Sequence, residues 1–278
     1  MLVNFKDILS DAQKNRYAVG LFNTTDTDML EAVIAAAEEE RSPVIIGTAE
    51  VLLPHGELKL IAPSVIAAAK RASVPVVVHY DHGLTFERCM EALSLGFSSV
   101  MFDGSASDPV TNVAETKEIV RIAHSFGATV EGEIGHVGNV GEDDNTDADL
   151  YTTPEEALEY IAATGIDACA IAIGTAHGAY KKAPKLDFDR LSQIRAVTDT
   201  PLVLHGGSGL SDDDFRTAVS RGIAKVNIYT DLCLAGVRAM TAGLAEGKSY
   251  LEIRDRKVEE IRETVRNKMR LFGSVGRA

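Results

Sequence analysis

The stretch VPVVVHYDHGLTFE, residues 74–87, starts as one kind of structure and ends as another. Val74, Pro75, Val76, Val77 and Val78 make a continuous apolar run, the pattern of a parallel strand covered on both faces. Within four residues the chain then places His79, Asp81 and His82 just before Gly83. Two imidazoles and a carboxylate at the end of a buried strand need partners, and the rest of the chain supplies them in the same position.

Outward from this stretch, short β-branched runs alternate with helical segments. Strand candidates are AVGLFN (18–23), PVIIGTA (43–49), PVVVHYD (75–81), SSVMFDG (98–104), TVEGEIGH (129–136), ACAIAIGT (168–175), PLVLHGG (201–207) and KVNIYT (225–230). Between them lie helical stretches such as MLEAVIAAAEEE (29–40), LIAPSVIAAAKRA (60–72) and TNVAETKEIVRIAHSF (111–126). PEEALEYIAATG (154–165) opens on Pro and Glu and stops at Gly, a matched helix start and stop. Eight strand signals alternating with helices predict an α/β fold, a (β/α)8 TIM barrel, over a doubly wound sheet. Residues 1–278 read as one barrel domain with a helical tail over about 249–272. In that tail Leu251, Val258, Ile261, Val265, Met269 and Phe272 recur at helical spacing, so the helix is expected to pack on the barrel or on another subunit. The acidic stretch VGNVGEDDNTDADLYTT (137–153) reads as a long loop, either a solvated connection or a lid over a site.

The net charge of −13 argues against nucleic acid or an anionic membrane surface as the main partner. An anionic ligand would have to be held locally, by backbone N–H groups or a metal. Cys89, Cys169 and Cys233 are far apart and form no paired framework, which predicts a reducing cytoplasm and small buried hydrophobes. The N-terminal MLVNFKDILSDAQKNR has no secretory pattern, and no apolar run is long enough to span a bilayer.

In such a barrel, chemistry sits at the C-terminal ends of the strands. Asn23, Asp81 with His82, Asp103, Glu133, His177, His205 and the segment Asn227 to Thr230 all fall at or just beyond those ends. Any one of them could be a hydrogen-bonded structural group, but seven strands placing polar side chains on one rim is hard to assign to packing. His82, His177 and His205 would face a common point, and three neutral imidazoles with an open fourth position form a catalytic zinc site. His79 alternates with Asp81 and is expected to point into the barrel or to back a ligand. His55, His124 and His136 read as structural or surface residues. After His205, Gly206, Gly207, Ser208 and Gly209 let backbone N–H groups approach an anion at a helix N-terminus; a plain tight turn is the bland alternative. The motif is not GxGxxG opening an early βαβ unit, so no dinucleotide site is predicted.

The segments HYDHG, EGEIGHVGNVGED, YTTPEEALEYIAATGIDACAIAIGTAHGAYKKAPKLDF, LVLHGGSGL and KVNIYTDL together resemble the class II, zinc-dependent ketose-bisphosphate aldolases, from about Asn23 to the closing FGSVGRA. The resemblance implies a homodimer or homotetramer, dihydroxyacetone phosphate as ketone product, and zinc, with a second or a monovalent cation as an open addition. It implies that His82, His177 and His205 hold the zinc, that Asp103 and Glu133 are carboxylates of the metal site, and that Asp81 is the catalytic acid/base. Gly178, Gly206, Gly207, Ser208, Asn227, Ile228, Tyr229 and Thr230 match positions that bind dihydroxyacetone phosphate, and Glu142 matches a mobile glutamate that moves the C3 proton. The chemistry agrees with this: cleaving a bond next to a carbonyl needs an electron sink, which zinc supplies as a Lewis acid. Asp81, beside a ligand, can exchange the C4 hydroxyl proton.

A Schiff-base aldolase would need a lysine at a strand's C-terminal end. Lys225 falls at the start of its strand, and Lys181 and Lys182 lie in a loop. Two other classes remain as alternatives: a zinc-dependent hydrolase on the same fold, and a non-catalytic partner subunit. The sequence departs from its relatives where the aldehyde would sit. GTAEVLLPHGELKL (47–60) offers no matching serine, and the first strand ends FNTTDTDM. A second phosphate would need a charge-assisted donor, usually Arg, and Arg254, Arg256 and Arg277 are the obvious candidates. The expectation is cleavage of a ketose 1-phosphate or 1,6-bisphosphate, as in fructose- or tagatose-bisphosphate aldolases, with the ketose 1-phosphate favoured by these departures.

Overall fold

A computed structural model of the chain describes residues 1–135, 151–178, 180 and 184–278. Nine strands form one parallel sheet: β1 (Leu2–Val3), β2 (Val19–Asn23), β3 (Val44–Ala49), β4 (Val76–Gly83), β5 (Ser99–Phe102), β6 (Thr129–Ile134), β7 (Ala168–Ile171), β8 (Leu202–Leu204) and β9 (Ile223–Ile228). Strands β2 to β9 pair in sequence order, and β9 pairs back to β2, so these eight close a barrel. All eight predicted strands are present. The apolar runs overstate some lengths, because β7 stops at Ile171 and β8 at Leu204 while their runs continue. The last strand begins two residues before KVNIYT, which puts Lys225 in its middle rather than at its start.

Crossover helices cover the outside: α2 (Thr27–Glu40), α3 (Leu58–Arg71), α4 (Phe86–Leu95), α5 (Pro109–Ser125), α6 (Pro154–Thr164), α7 (Phe188–Val197), α8 (Asp212–Ser220) and α9 (Thr230–Ala245). A short 3-10 helix, Glu50–His55, precedes α3. Side chains alternate along each strand, so the barrel has two cores. Val44, Ile46, Val76, Val78, Val100 and Val130 face outward into the helical shell. Val19, Leu21, Ile45, Val77, Ala168, Ala170 and Val203 face inward.

An amphipathic helix that precedes the first predicted strand, α1 (Phe5–Asn15), closes the barrel from below. Asn4 caps it, and Phe5, Ile8, Leu9 and Ala12 join the interior cluster. Its lead-in strand β1 pairs with Val76 and Val77, on the edge of β4 that β5 joins only from His79 onward. Going up the barrel, inward positions change from apolar to polar: Leu21 to Asn23, Val77 to His79 and Asp81, Val203 to His205. The core thus becomes a site at its C-terminal end.

The tail forms α10 (Tyr250–Phe272), which packs on α2 and α9 through Ile261, Val265, Met269 and Phe272. Leu251 departs from the expectation: it is 66% exposed, because the first turn of α10 lies off the barrel surface. Basic residues of α10 face the acidic edge of α2. Arg254 pairs with Asp28 and Glu31, Lys257 with Asp26 at 2.8 Å, and Arg266 and Arg270 with Glu40 at 2.8 and 2.6 Å. Cys89 and Cys169 are buried and Cys233 half-buried, all three unpaired. No helix among the described residues is long and apolar enough to cross a membrane.

Candidate active site

Asp81 and His82 are adjacent, and on a regular strand they would face opposite sides of the sheet. The backbone resolves this conflict. His82 takes a left-handed conformation with φ of 47°, and the β4–β5 register slips between Tyr80 and Gly83. Asp81 keeps the inward direction set by Val77 and His79, and the kink swings the His82 ring back over the same opening. Such a conformation in a non-glycine residue is unfavourable and persists only where its surroundings hold it. A hydrogen bond from His82 Nδ1–H to Asp103 Oδ2, at 2.8 Å, does so here.

His177 follows β7, and His205 lies one residue past β8. Tyr180 ties their loops together: its hydroxyl donates to the Gly206 carbonyl and accepts from the Ala176 N–H, both at 2.8 Å. The sequence reading missed this residue, since nothing local marks a tyrosine as a bridge. The three imidazoles are nearly perpendicular, with His82 4.8 Å from His177 and 4.5 Å from His205 between ring centroids. One nitrogen of each lies within 4.8 Å of the others.

The donor set around this point suits a cation. Asp103 occupies His82 Nδ1, so Nε2 faces the centre. Glu131 Oε1 accepts from His205 Nε2–H at 2.8 Å, so Nδ1 faces it. Among the described residues, His177 Nε2 is buried without a hydrogen-bond partner. His82 Nε2 and His205 Nδ1 stand 2.7 Å apart, hydrogen-bond distance, so two lone pairs cannot face each other there without a proton between them. Burial disfavours a charge on His82, but Asp81, Asp103 and Glu133 outweigh it and raise its pKa to about 9. Burial and the neighbouring imidazoles push His177 down to about 3. Three imidazoles, two of them with carboxylate-fixed tautomers, thus converge where a divalent cation would sit, and this donor set fits zinc. His82, Asp103 and Glu133 form an overlapping second group.

Asp81 is 1% exposed. Its Oδ2 accepts from Asn23 Nδ2 at 2.8 Å and its Oδ1 from Asn227 Nδ2 at 3.0 Å. Gly47 makes room for this arrangement, since a Cβ there would meet Asn23 Oδ1 at 2.3 Å. Burial alone would raise the carboxyl pKa, but His82, Lys225, His205 and His79 hold it well below the usual range. His79 is fully buried inside the barrel, as the alternation predicts, with Nδ1 bonded to Ser99 Oγ at 2.9 Å. His124 pairs on the surface with Asp167, and His55 is exposed.

The loop after β8 also departs from the expectation. The next helix, α8, closes its own N-terminus with a capping box of Ser211 and Asp214 and carries three aspartates in its first turn, so it is no anion site. The helix start that faces this loop is that of α9, where Tyr229 provides no side-chain cap of its own. Ser208 Oγ reaches it, accepting from the N–H groups of Tyr229 and Asp231 at 3.2 and 3.3 Å. Gly206 has φ of 64°, and a Cβ there would meet the Ala176 carbonyl at 2.5 Å; Gly178 is left-handed as well. Among the expected phosphate residues, Ile228 has its side chain in the outer core, so only its backbone faces the rim. Asn227 is engaged with Asp81, and Thr230 opens α9. Glu142 and His136 lie outside the described residues, as do Lys181 and Lys182.

Two interior residues had no part in the sequence reading, Glu131 and, as more than a lysine to dismiss, Lys225. Their signal was present: Glu131 alternates with Glu133, and Lys225 with Asn227, on inward-facing positions.

Comparison with known proteins agrees with this geometry. The family model described as fructose-bisphosphate aldolase class-II matches residues 3–277. The fructose-bisphosphate aldolase of Thermus caldophilus is 41% identical, covering 100% of both chains. The crystal structure of the YdjI aldolase from Escherichia coli K12 superposes with a TM-score of 0.91 at 37% identity, covering 100% of both chains. A putative fructose-1,6-bisphosphate aldolase from Coccidioides immitis superposes with a TM-score of 0.88 at 29% identity, over 98% of this chain and 96% of that one. With a matching barrel, full-length likeness and a three-histidine rim, the chain belongs to the class II fructose-bisphosphate aldolase family, whose members are carbon–carbon lyases.

Proposed function

We propose that the protein reversibly cleaves a ketose 1-phosphate into dihydroxyacetone phosphate and an aldehyde, with zinc held by His82, His177 and His205. The observation that carries this is the convergence of three imidazole nitrogens, two with their other nitrogen locked by a carboxylate, beside a buried and ionised Asp81. When bound, the metal polarises the ketone carbonyl and provides the electron sink that carbon–carbon cleavage requires. Asp81, aimed by Asn23 and Asn227, receives the C4 hydroxyl proton as the bond breaks and returns it in condensation. Asp103 keeps His82 oriented, and Glu133 adds negative charge on the same side. Backbone N–H groups of Gly178, Gly206, Gly207 and Ser208, with the start of α9 at Tyr229 and Thr230, bind the phosphate of the ketone half. Glu142 is assigned the C3 proton.

The aldehyde half is proposed to lack a phosphate. Of the three candidate arginines, Arg254 is engaged with Asp28 and Glu31, Arg256 with Glu246 at 2.7 Å, and Arg277 stacks over Tyr17 near the lower end of the barrel. The segment after β3 forms the 3-10 helix, whose Glu50 is tied to the Tyr80 hydroxyl and the Leu84 N–H. These commitments favour a neutral aldehyde over glyceraldehyde 3-phosphate. Exposed apolar side chains on α9, Leu234, Val237 and Leu244, support assembly into a homodimer or homotetramer; a cytoplasmic location is part of the same proposal, on the unpaired cysteines. Family membership argues against the hydrolase and non-catalytic alternatives.

A panel of aldehydes condensed with dihydroxyacetone phosphate, ranked by kcat/KM, tests the reading. Non-phosphorylated, uncharged aldehydes should lead. A lead of orders of magnitude for glyceraldehyde 3-phosphate would make the altered loop irrelevant, and no condensation by zinc-loaded protein would remove the activity itself.

A further inference from the structure

A lysine and a glutamate lie fully buried inside the barrel, Lys225 and Glu131, both with no exposed surface. Interiors of this fold are usually filled with branched apolar side chains. A buried ion pair rarely adds net stability over an apolar pair of similar volume, so stability does not explain why this one is here. Its contacts point elsewhere.

We propose that Lys225 and Glu131 are positioning residues that set both halves of the reaction centre from within, the ring of His205 and the carboxylate of Asp81. The inference rests on the reading of His205 as a metal ligand. Lys225 Nζ has three acceptors around it: Glu131 Oε2 at 2.8 Å, Glu131 Oε1 at 3.1 Å and Asn227 Oδ1 at 2.7 Å. An ammonium only donates, so each group it touches must turn an acceptor toward it. For Asn227 this decides the amide: Oδ1 faces Lys225, and Nδ2 is left to donate to Asp81 Oδ1 at 3.0 Å. For Glu131 it fixes a carboxylate whose Oε1 accepts from His205 Nε2–H at 2.8 Å. That bond decides the tautomer, leaving Nδ1 as the lone pair that faces His82 Nε2. An amide that could flip and an imidazole that could carry its proton on either nitrogen are therefore both set by one ammonium. Glu131 and Lys225 sit on β6 and β9 and reach one another across the barrel interior, so the coupling is independent of the loops.

The test uses full-length protein, stripped of metal and reloaded with zinc or cobalt(II). Three variants are compared: Glu131→Gln, Lys225→Met and the double variant, in which both charges go together and the shape is nearly kept. Each is measured for metal affinity by competition with a chromogenic chelator, for its cobalt(II) absorption spectrum, for kcat and KM at saturating metal, and for the melting temperature of the metal-free form. The double variant should melt near wild type without metal, yet bind metal about 10- to 100-fold more weakly, as loss of outer-shell partners does. Its cobalt spectrum should change, and at saturating metal kcat should fall with little change in KM. A purely structural pair would instead move the metal-free melting temperature and leave metal affinity and spectrum alone. Metal affinity within about twofold of wild type in the double variant, with an unchanged cobalt spectrum, overturns the proposal. Should wild-type protein itself bind no metal, the underlying assignment of His82, His177 and His205 falls, an outcome separate from the first.

Discussion

Asp81→Asn is the substitution whose effect can be worked most closely from the geometry. Each carboxylate oxygen of Asp81 accepts one amide N–H, from Asn23 and from Asn227. An asparagine presents one oxygen and one NH2, so one of these two donors is left facing another donor. An unmet buried hydrogen bond costs about 1–3 kcal/mol, a tolerable loss against the roughly 5–15 kcal/mol that holds a typical protein folded. The effect on catalysis is larger. Removing a positioned proton acceptor slows a reaction by about 10^2–10^4, which is about 3–5 kcal/mol of barrier at ~1.4 kcal/mol per tenfold. Metal content should stay near wild type, because no imidazole nitrogen of His82, His177 or His205 is bonded to Asp81. The assay follows dihydroxyacetone phosphate release by coupled reduction, on protein whose zinc has been quantified and whose melting temperature has been recorded. His205→Ala serves as contrast and should lose both metal and activity. If Asp81→Asn, fully metal-loaded and folded, retained kcat within about tenfold of wild type, the acid/base role would be refuted.

Met269→Ala, deep in the α10 interface and fully buried, should destabilise the fold by about 2–5 kcal/mol while leaving kcat of the folded enzyme unchanged; a change below about 1 kcal/mol in denaturant unfolding would show α10 to be dispensable. Acid should loosen the same interface. Burial pushes the Asp26 and Glu40 carboxyls up, but Lys257 and, for Glu40, Arg266 and Arg270 outweigh it, so both are lowered. A depressed folded pKa gives stability that is complete above the unfolded values, 3.8 and 4.5, and is lost as pH falls through the folded ones. The melting temperature should therefore be flat down to about pH 5 and decline below about pH 4, and a level profile to about pH 3 would contradict this.

Much of the barrel is written in the sequence because each strand carries its own signal: the apolar runs Val76 to Val78 and Val44 to Ile46 read as buried strands, and both are. The rim is legible for the same reason, since the polar residue that ends an apolar run must sit at the strand's end. What the sequence conceals is whatever depends on register or on backbone conformation. The pair Lys225–Glu131 joins β6 to β9, and no local pattern records that their inward positions meet. The shared direction of Asp81 and His82 needs a left-handed residue that period-two reasoning does not allow. Which helix start the loop after β8 meets depended on caps: Ser211 and Asp214 close α8 from within, while α9 takes its hydroxyl from Ser208, far off in sequence. A two-residue strand such as β1 is too short for periodicity to mark, and Leu251 shows the reverse error, a helical repeat carried one turn beyond the surface it packs on.

The central claim is that a metal held by His82, His177 and His205 activates the ketone half of the substrate. Exchange of the C3 proton of dihydroxyacetone phosphate with deuterated solvent, followed by proton NMR while zinc is titrated into metal-free protein, tests this without reference to the aldehyde. Exchange should be absent at the start, rise in proportion to added zinc and level off at one zinc per chain. It should vanish in His205→Ala and slow strongly in Glu142→Ala. Exchange at the full rate in chelated protein, or none at full zinc occupancy, would contradict the account.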